Sequence, residues 1–258
     1  VEAFAKRLPI VVFLRLVDLP QEDRDTLLEM TEASVRGDAA RRNWAAQALQ
    51  QYIGQWIVAR RAHPGPDLIS AVVNAKVDGR GYTPEETFGM MVNVIFGGLD
   101  TVAASLGFLT RHLAEQPGLR RQLVDDPASI PVAIEEFLRR FGIPNTARVV
   151  TRDLEYGGVS FKAGEQIMLP KTLHGLDERR YADPLTVDLA RPASRHAAFG
   201  DGPHRCPGAG LARMELRVFL EEWLRRVPDF HVEPGRQPVT SSGQVNGMMS
   251  LPLAWQVR

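Results

Sequence analysis

The sequence predicts a mainly α-helical protein with a small β portion in its C-terminal half. Apolar residues recur at helical spacing through much of the first 141 residues, and one long apolar stretch covers 84–116. Short apolar runs of strand type follow between 147 and 169. The 258 residues are 44% hydrophobic and 24% charged, which is ordinary for a globular protein and argues against disorder, collagen and coiled coil.

Three helices are predicted before the long apolar stretch, each bounded by residues that start or stop helices. The first follows Pro20 and a cluster of acids, and the second ends at the His-Pro-Gly-Pro string of 63–66. The predicted helices span 24–36, 41–62 and 67–74.

The long apolar helix has a dense start signal. Thr83 is a candidate N-cap, Pro84 suits the first helical position, and Glu86 completes a capping box. Within 87–110 the only formally charged residue is Asp100, so the helix is apolar on nearly every face. Such a helix is buried in a large core or crosses a membrane. Its central polar residues and the lack of a second such segment favour a core helix, and we expect no membrane partner.

The C-terminal half mixes helices with short strands. An amphipathic helix and a later helix flank a region of strands, one pair of which surrounds the Gly157-Gly158 turn. The predicted helices span 126–141 and 210–227, and the predicted strands span 148–151, 154–156, 166–169, 230–232 and 251–257.

Charge and cysteine content restrict the partners and the compartment. Lys plus Arg and Asp plus Glu each number 31, so the neutral chain has no overall attraction to nucleic acid. With one cysteine an intrachain disulfide is impossible, which favours a reducing, cytoplasmic location. No signal peptide is visible, and a start at Val1 without methionine leads us to expect a fragment.

The Gly97-Gly98-Leu99-Asp100-Thr101 string lies halfway along the long helix. Adjacent glycines cost a helix about 0.8–1.0 kcal/mol each relative to alanine. One interpretation is a broken helix whose second half is capped by Asp100 or Thr101. The other is that the glycines let a flat group approach the backbone, while Asp100 and Thr101 supply a proton path beside it.

Glu136 and Arg139 form a Glu-x-x-Arg pair on the predicted helix 126–141. Taken alone, such a pair is typical of an exposed ion pair worth a few tenths of a kcal/mol.

The only cysteine, Cys206, lies in a glycine- and proline-rich loop just before a predicted helix. The helix N-terminus and the neighbouring Arg205 both favour a thiolate, and the loop glycines allow backbone N–H groups to turn toward the sulfur. Zinc would need further ligands, and there is no second cysteine. A thiol nucleophile with His204 as its base is the competing interpretation.

These three strings together resemble the cytochrome P450 family in their order and spacing. The cysteine loop matches the family signature at every defined position, and that ten-residue match is highly specific. The matching residues are Phe199, Gly200, Gly202, His204, Cys206, Pro207 and Gly208. The chain is similar throughout to the soluble bacterial branch that includes the camphor hydroxylase. Roughly the first third of a family member is not represented, so we expect 1–258 to be the C-terminal two-thirds of a single P450 domain.

The resemblance implies a role for each part of the cofactor site. Cys206 is the axial thiolate ligand of haem b iron, in the loop that carries Phe199, Gly200 and Gly208. Gly97 and Gly98 let the central helix pass close to the porphyrin. Arg148 and His204 bind the haem propionates. The camphor enzyme also has an acidic residue in this region, and this chain has Thr146 at that position.

The remaining roles concern catalysis, the pocket and the fold. Asp100 and Thr101 deliver protons during oxygen activation. Glu136 and Arg139 form a buried structural clamp near the haem. The substrate pocket includes Asn93, Phe96 and Pro144, where the camphor enzyme has aliphatic residues.

The function implied is that of a haem-thiolate monooxygenase. It inserts one atom of O2 into a small apolar, terpenoid-like substrate, with electrons from an iron–sulfur ferredoxin. Arg205 and Arg213, which flank the thiolate, form part of a basic docking patch for that acidic partner. A truncated, non-catalytic remnant of such an enzyme is the alternative, and a peroxide-using haem-thiolate enzyme is a third, weaker option.

Overall fold

A computed structural model describes residues 7–191 and 196–256. The chain divides into two compact units, Val1–Ala104 and Ser105–Arg258, and the central helix begins in the first and ends in the second. The prediction of a single domain over 1–258 stays a prediction. The predicted class, mainly α with a small β portion, is confirmed.

Nine α-helices are present in the described part of the chain. They are α1 (Arg7–Leu16), α2 (Arg24–Arg36), α3 (Ala39–Ala62), α4 (Leu68–Val73), α5 (Pro84–Glu115), α6 (Pro117–Asp125), α7 (Ile130–Arg140), α8 (Lys171–Gly175) and α9 (Ala209–Arg226). Short 3-10 turns precede α2, α7 and the Cys206 segment.

The strands form five separate antiparallel pairs within the described residues. They are β1 (Lys76–Val77), β2 (Arg80–Gly81), β3 (Asn145–Val149), β4 (Leu154–Tyr156), β5 (Val159–Phe161), β6 (Gln166–Pro170), β7 (Phe230–Val232), β8 (Val239–Ser241), β9 (Gly247–Ser250) and β10 (Leu253–Trp255). The pairs are β1–β2, β3–β6, β4–β5, β8–β9 and β7–β10, and Arg148 lies opposite Ile167 in the β3–β6 register.

In the first unit, α1 to α4 and the N-terminal part of α5 share one apolar core. Met91, Ile95 and Leu99 recur on one face of α5, and each is 1% exposed. Phe13 and Leu14 of α1 belong to the same cluster. Because burying apolar area is the main favourable contribution to folding, this face fixes how α5 lies within the unit.

The start of α5 is the capping box that the sequence predicts. The Glu86 backbone N–H donates to Thr83 Oγ1 at 3.2 Å, and the Thr83 N–H donates to Glu86 Oε2 at 2.9 Å. Within the described residues α5 is also the one helix long and apolar enough to cross a bilayer. Because 44% of its most apolar stretch is buried and the core helices of other proteins meet the same criterion, this property is weak evidence for a membrane span.

In the second unit, α9 packs on α7 and on α6, and an aromatic cluster joins α9 to the β7–β10 pair. The Trp223 ring lies 5.7 Å from that of Phe219 and 5.9 Å from those of Phe230 and Trp255, centroid to centroid. This packing fixes the body of the helix that begins just after Cys206.

Several elements differ from the sequence prediction. The helix predicted over 126–141 is split into a 3-10 turn and α7, and the strand predicted at 148–151 is β3, shifted toward the N-terminus. The β8–β9 hairpin and α6 carry no strong local signal and were not predicted. The β8–β9 register contains a bulge between Val239 and Thr240, which interrupts the regular alternation of a strand.

The two central glycines of α5 have different surroundings. A Cβ added at Gly98 would collide with the ring of Phe13, which is 3% exposed and has little room to move, whereas one at Gly97 meets nothing within 4 Å.

We expect Gly98→Ala to destabilise the chain by about 1–2 kcal/mol, because overpacking outweighs the gain in helix propensity. Gly97→Ala is the matched control and should be neutral or stabilising by up to about 1 kcal/mol. Urea unfolding followed by far-ultraviolet circular dichroism measures both. Equal shifts in the same direction would contradict the close contact with Phe13.

Candidate functional site

The segment before α9 folds into a tight loop that presents Cys206. The Cys206 backbone N–H donates to the Phe199 carbonyl at 2.8 Å, and the Arg205 N–H donates to that of Gly202 at 3.0 Å. Gly200 and Gly202 have φ of +71° and +59°, a region that favours glycine. Cys206 is a free, partly exposed thiol three residues before the start of α9, so its sulfur lies near a helix N-terminus.

A charged network lies beside this loop. Glu135 of α7 accepts hydrogen bonds from Arg213 Nε at 2.6 Å and Nη2 at 2.9 Å, and its Oε2 lies 3.0 Å from His196 Nε2. The Arg213 guanidinium also lies 4.6 Å over the Phe199 ring. Burial alone would raise the pKa of Glu135, but the bonds from Arg213 and His196 outweigh it and hold that pKa at about 2.

This network changes the expectation for the basic patch. Arg213 is paired with a carboxylate, so its charge is largely neutralised, whereas Arg205 is exposed and has no ion pair within the described residues. Of the two arginines that flank the cysteine, Arg205 is therefore the one whose charge is available at the surface.

In the first unit, Asp100 is held by an arginine that sequence reasoning missed. Arg36, the last residue of α2, donates from Nη1 and Nη2 to the two carboxylate oxygens of Asp100, both at 2.9 Å. The two side chains are only 15% and 14% exposed, so this two-pronged pair is poorly screened by solvent. Thr101, the next residue, donates from Oγ1 to the Gly97 carbonyl at 2.9 Å.

The exposed face of α5 carries part of the predicted pocket. Asn93 and Gly97 are exposed, Phe96 is partly buried, and the intervening Ile95 is in the core. Exposure thus follows the helical period and separates a packed face from an open one.

Glu136 and Arg139 form a buried pair. Arg139 is fully buried; its Nε donates to Glu136 Oε1 at 2.8 Å and its Nη2 to Oε2 at 2.9 Å. Arg191 Nε also donates to Glu136 Oε2 at 3.1 Å. The pair is therefore not an exposed ion pair of the kind that the residue types alone would suggest.

Two polar side chains of strand β3, those of Thr146 and Arg148, have unused hydrogen-bonding capacity. Thr146 Oγ1 is buried without a hydrogen-bond partner among the described residues. Arg148 donates only to the adjacent Ala147 carbonyl and has no ion pair in the described ranges. Pro144, just before β3, bridges to Val245 in the β8–β9 turn, so that unpredicted hairpin lies beside a predicted pocket residue.

The loop histidine and glycines lie where the sequence places them. His204 is exposed, and no hydrogen bond to its side chain occurs among the residues that the structure describes. A Cβ added at Gly208 would lie 3.8 Å from Cys206 Sγ, which is an ordinary contact. At Gly200 it would lie 3.0 Å from the His204 carbonyl oxygen, so this position is tight as well as left-handed.

The contacts join the predicted residues into local groups. One contains Asp100, Thr101 and Gly97 in the first unit; two others, in the second unit, contain Cys206 with its loop and Glu136 with Arg139. No local sequence pattern predicts the contacts of Arg36 and Glu135. Arg36 lies 64 positions from its partner, and Glu135 is one of many helical acids.

Glu215 of α9 is a further residue that sequence reasoning missed. It is 8% exposed, and its Oε2 has no hydrogen-bond partner among the described residues. Burial raises the pKa of Glu215 to about 7. A carboxyl of this kind is neutral in mildly acidic solution and gains a poorly compensated charge near neutrality.

Comparison with known proteins identifies the family. The family model described as Cytochrome P450 matches residues 130–257. A steroid C26-monooxygenase of Mycobacterium tuberculosis (strain CDC 1551 / Oshkosh) is 32% identical over 266 residues, which cover 99% of this chain and 72% of the relative. The chain belongs to the cytochrome P450 family, whose members bind haem iron through a thiolate.

Other relatives cover the same part of the family. The probable cytochrome P450 127A1 of Sinorhizobium fredii is 37% identical over 98% of this chain and 61% of its own length. The nocardicin C N-oxygenase of Nocardia uniformis is 34% identical over 99% of this chain and 66% of its own length. The chain thus spans about three-fifths to two-thirds of these two relatives.

Two solved cytochrome P450 structures also match this chain. The crystal structure of CYP101J2 superimposes with a TM-score of 0.89 at 41% identity, and that of cytochrome P450 CYP101C1 with 0.88 at 39%. Both matches cover 99% of this chain and 65% of the other chain.

We expect Glu215→Gln to flatten the pH dependence of stability. Because the pKa of Glu215 rises from an ordinary 4.5 to about 7 on folding, the folded chain binds the extra proton, and stability falls as pH rises through this interval. The variant should be more stable than the parent at pH 8 by roughly 2–3 kcal/mol, with little difference below pH 5.

Urea unfolding of both proteins at several pH values measures the difference. Glu221→Gln is the control, because Glu221 lies on the same helix but has a side chain 38% exposed and paired with Arg217. A difference between variant and parent that does not change with pH would refute the assignment to Glu215.

Proposed function

We propose that this chain carries the cofactor-binding part of a haem-thiolate monooxygenase in which Cys206 is the axial ligand of haem b. The reaction is RH + O2 + two electrons + two protons giving ROH + H2O. The observation that carries the proposal is the loop of Cys206, a single thiol set before a helix N-terminus by two glycines of positive φ. The location we propose is the cytoplasm, since a free thiol suits a reducing compartment.

The chemistry of the donor groups fits haem. The free, partly exposed thiol of Cys206 is the kind of donor that binds haem iron as a thiolate. Propionate groups need polar partners, and three side chains of the second unit have donors to spare: Thr146, Arg148 and His204.

Haem bound through a thiolate would supply the chemistry that cleaves the O–O bond of O2. The chain's contribution at Cys206 is to orient the sulfur and to control its charge. Backbone bonds within the loop fix its path, and the Arg213 cation nearby is balanced by Glu135. A balanced cation withdraws less electron density from a thiolate than a free one.

Proton delivery is assigned to Asp100 and Thr101. Both carboxylate oxygens of Asp100 accept from Arg36, so this acid is held in place by a cation. Each oxygen has a second lone pair that Arg36 does not use, and there Asp100 can take up a proton from water at Oδ1 or Oδ2. Thr101 Oγ1, which donates to the Gly97 carbonyl, is the adjacent hydroxyl that passes the proton on.

The substrate we propose is a small apolar, terpenoid-like molecule. Asn93 and Phe96 on α5 and Pro144 before β3 are the residues assigned to its pocket; the bulk of Phe96 favours a compact ligand. The electron donor we propose is an iron–sulfur ferredoxin, with the exposed Arg205 beside the cysteine offering a cation to an acidic partner.

We expect Cys206→Ser to abolish thiolate ligation. When the haem-reconstituted chain is reduced and exposed to carbon monoxide, the parent should show the red-shifted Soret band of a thiolate complex. The variant should lack it, because a serine hydroxyl is a much poorer ligand for iron than a thiolate. Absorption spectroscopy at matched haem content makes the measurement.

A double variant, Cys206→Ser with Ser242→Cys, is the control, since it restores one thiol at an exposed position outside the loop. It should resemble Cys206→Ser. A parent chain that folds and binds haem but never gives the red-shifted band would support the non-catalytic remnant instead.

We expect Asp100→Asn to slow product formation by roughly 10- to 100-fold, within the range for loss of a general acid. Thr101→Ala should retain oxygen consumption but divert much of it to peroxide. Product, peroxide and electrons consumed are measured together in the haem-loaded protein. Asp25→Asn is the control, because Asp25 is an exposed acid paired with the adjacent Arg24. Unchanged product per electron and an unchanged rate in both variants would remove these residues from the mechanism.

A further inference from the structure

A cleft of about 390 Å³ lies within the second unit, and no residue assigned above to the cofactor or substrate lines it. Its walls are the C-terminal part of α5, the segment that follows α7, and the β8–β9 hairpin. The volume falls within the roughly 300–1,000 Å³ typical of small-molecule sites.

The floor of the cleft is aromatic. Phe108 of α5 and Phe141 after α7 stack with ring centroids 6.0 Å apart and planes inclined by 16°. The His112 ring meets Phe141 edge-on at 5.5 Å and Phe137 at 5.9 Å. Flat apolar rings of this kind pack well against another aromatic ring.

One wall carries a cation without a counter-ion. The Arg140 guanidinium lies 4.8 Å over the Phe141 ring, and its Nε donates to the Leu185 carbonyl at 2.9 Å. Within the described ranges Arg140 has no carboxylate partner, and its Nη1 and Nη2 make no hydrogen bond. Four of its five N–H donors are therefore available to a ligand.

The other titratable groups of the cleft leave this charge uncompensated. Arg111 and Glu115 neutralise each other through a bond of 2.8 Å. Burial, together with the nearby Arg140, lowers the pKa of His112, which favours the neutral imidazole. The cleft thus holds a net positive charge beside an aromatic floor.

We propose that this cleft is a binding site for a small aromatic carboxylate, whose ring lies against Phe108 and Phe141 and whose carboxylate pairs with Arg140. A planar carboxylate matches the two-pronged geometry of a guanidinium, and the ring covers apolar surface that water solvates poorly. The site does not depend on haem, and so the proposal stands apart from the monooxygenase function.

Isothermal titration of the full 258-residue chain with 2-naphthoate and with the uncharged 2-naphthamide tests the proposal. We expect one molecule of the acid to bind per chain, about ten-fold or more tighter than the amide, as a charge-assisted hydrogen bond predicts. Arg140→Gln should reduce the affinity for the acid to that for the amide. Arg121→Gln, which removes the same charge from an exposed position on α6, should leave both affinities unchanged.

A second variant, Ser242→Trp, fills the cleft from its exposed rim and should weaken binding of both compounds. Because Ser242 is exposed, this change leaves the core intact, and thermal unfolding verifies it. Equal affinity for acid and amide, binding of the acid that survives both Arg140→Gln and Ser242→Trp, or no binding at millimolar concentration would each overturn the proposal.

Discussion

The second unit is organised around one buried cation. Arg139 has five N–H donors and no contact with water, so each donor needs an acceptor. Glu136 takes two of them, and the carbonyls of Gly175, Pro184 and Thr186 take the other three. Removing either member of such a pair typically costs about 3–5 kcal/mol, a large fraction of the roughly 5–15 kcal/mol by which native proteins are stable. The path of the chain after α8 is therefore fixed by the donors of a single side chain.

The neighbouring Glu135 extends this control to the cysteine loop. It faces His196, which precedes Phe199, and Arg213, which follows Cys206, so one carboxylate contacts both sides of the loop. Two consecutive acids on α7 thus hold two different segments, one through a buried arginine and one through a partly exposed arginine. Through Glu135, α7 therefore helps to hold the loop that carries the thiol.

Local signals in the sequence were sufficient for some of these features and not for others. The capping box of Thr83 and Glu86 and the turns at Gly200 and Gly202 depend on residues a few positions apart, and the residue types alone predict them. The pair of Arg36 with Asp100 joins residues 64 positions apart, and the packing of Phe13 on Gly98 spans still more of the chain. Such contacts depend on the tertiary fold, so helical spacing and propensity do not predict them.

The sequence separation between Arg139 and its acceptors also has a consequence for folding. Its carbonyl acceptors lie 36, 45 and 47 positions further along, so each of these contacts closes a long loop. Closing loops of this length costs chain entropy that is recovered only when the contacts are complete, and such steps are slow. The bond between Glu135 and Arg213, beside the cysteine loop, spans 78 positions, so we expect the segment around Cys206 to become ordered late. A newly synthesised chain would pass through a period in which its only thiol is open to oxidants.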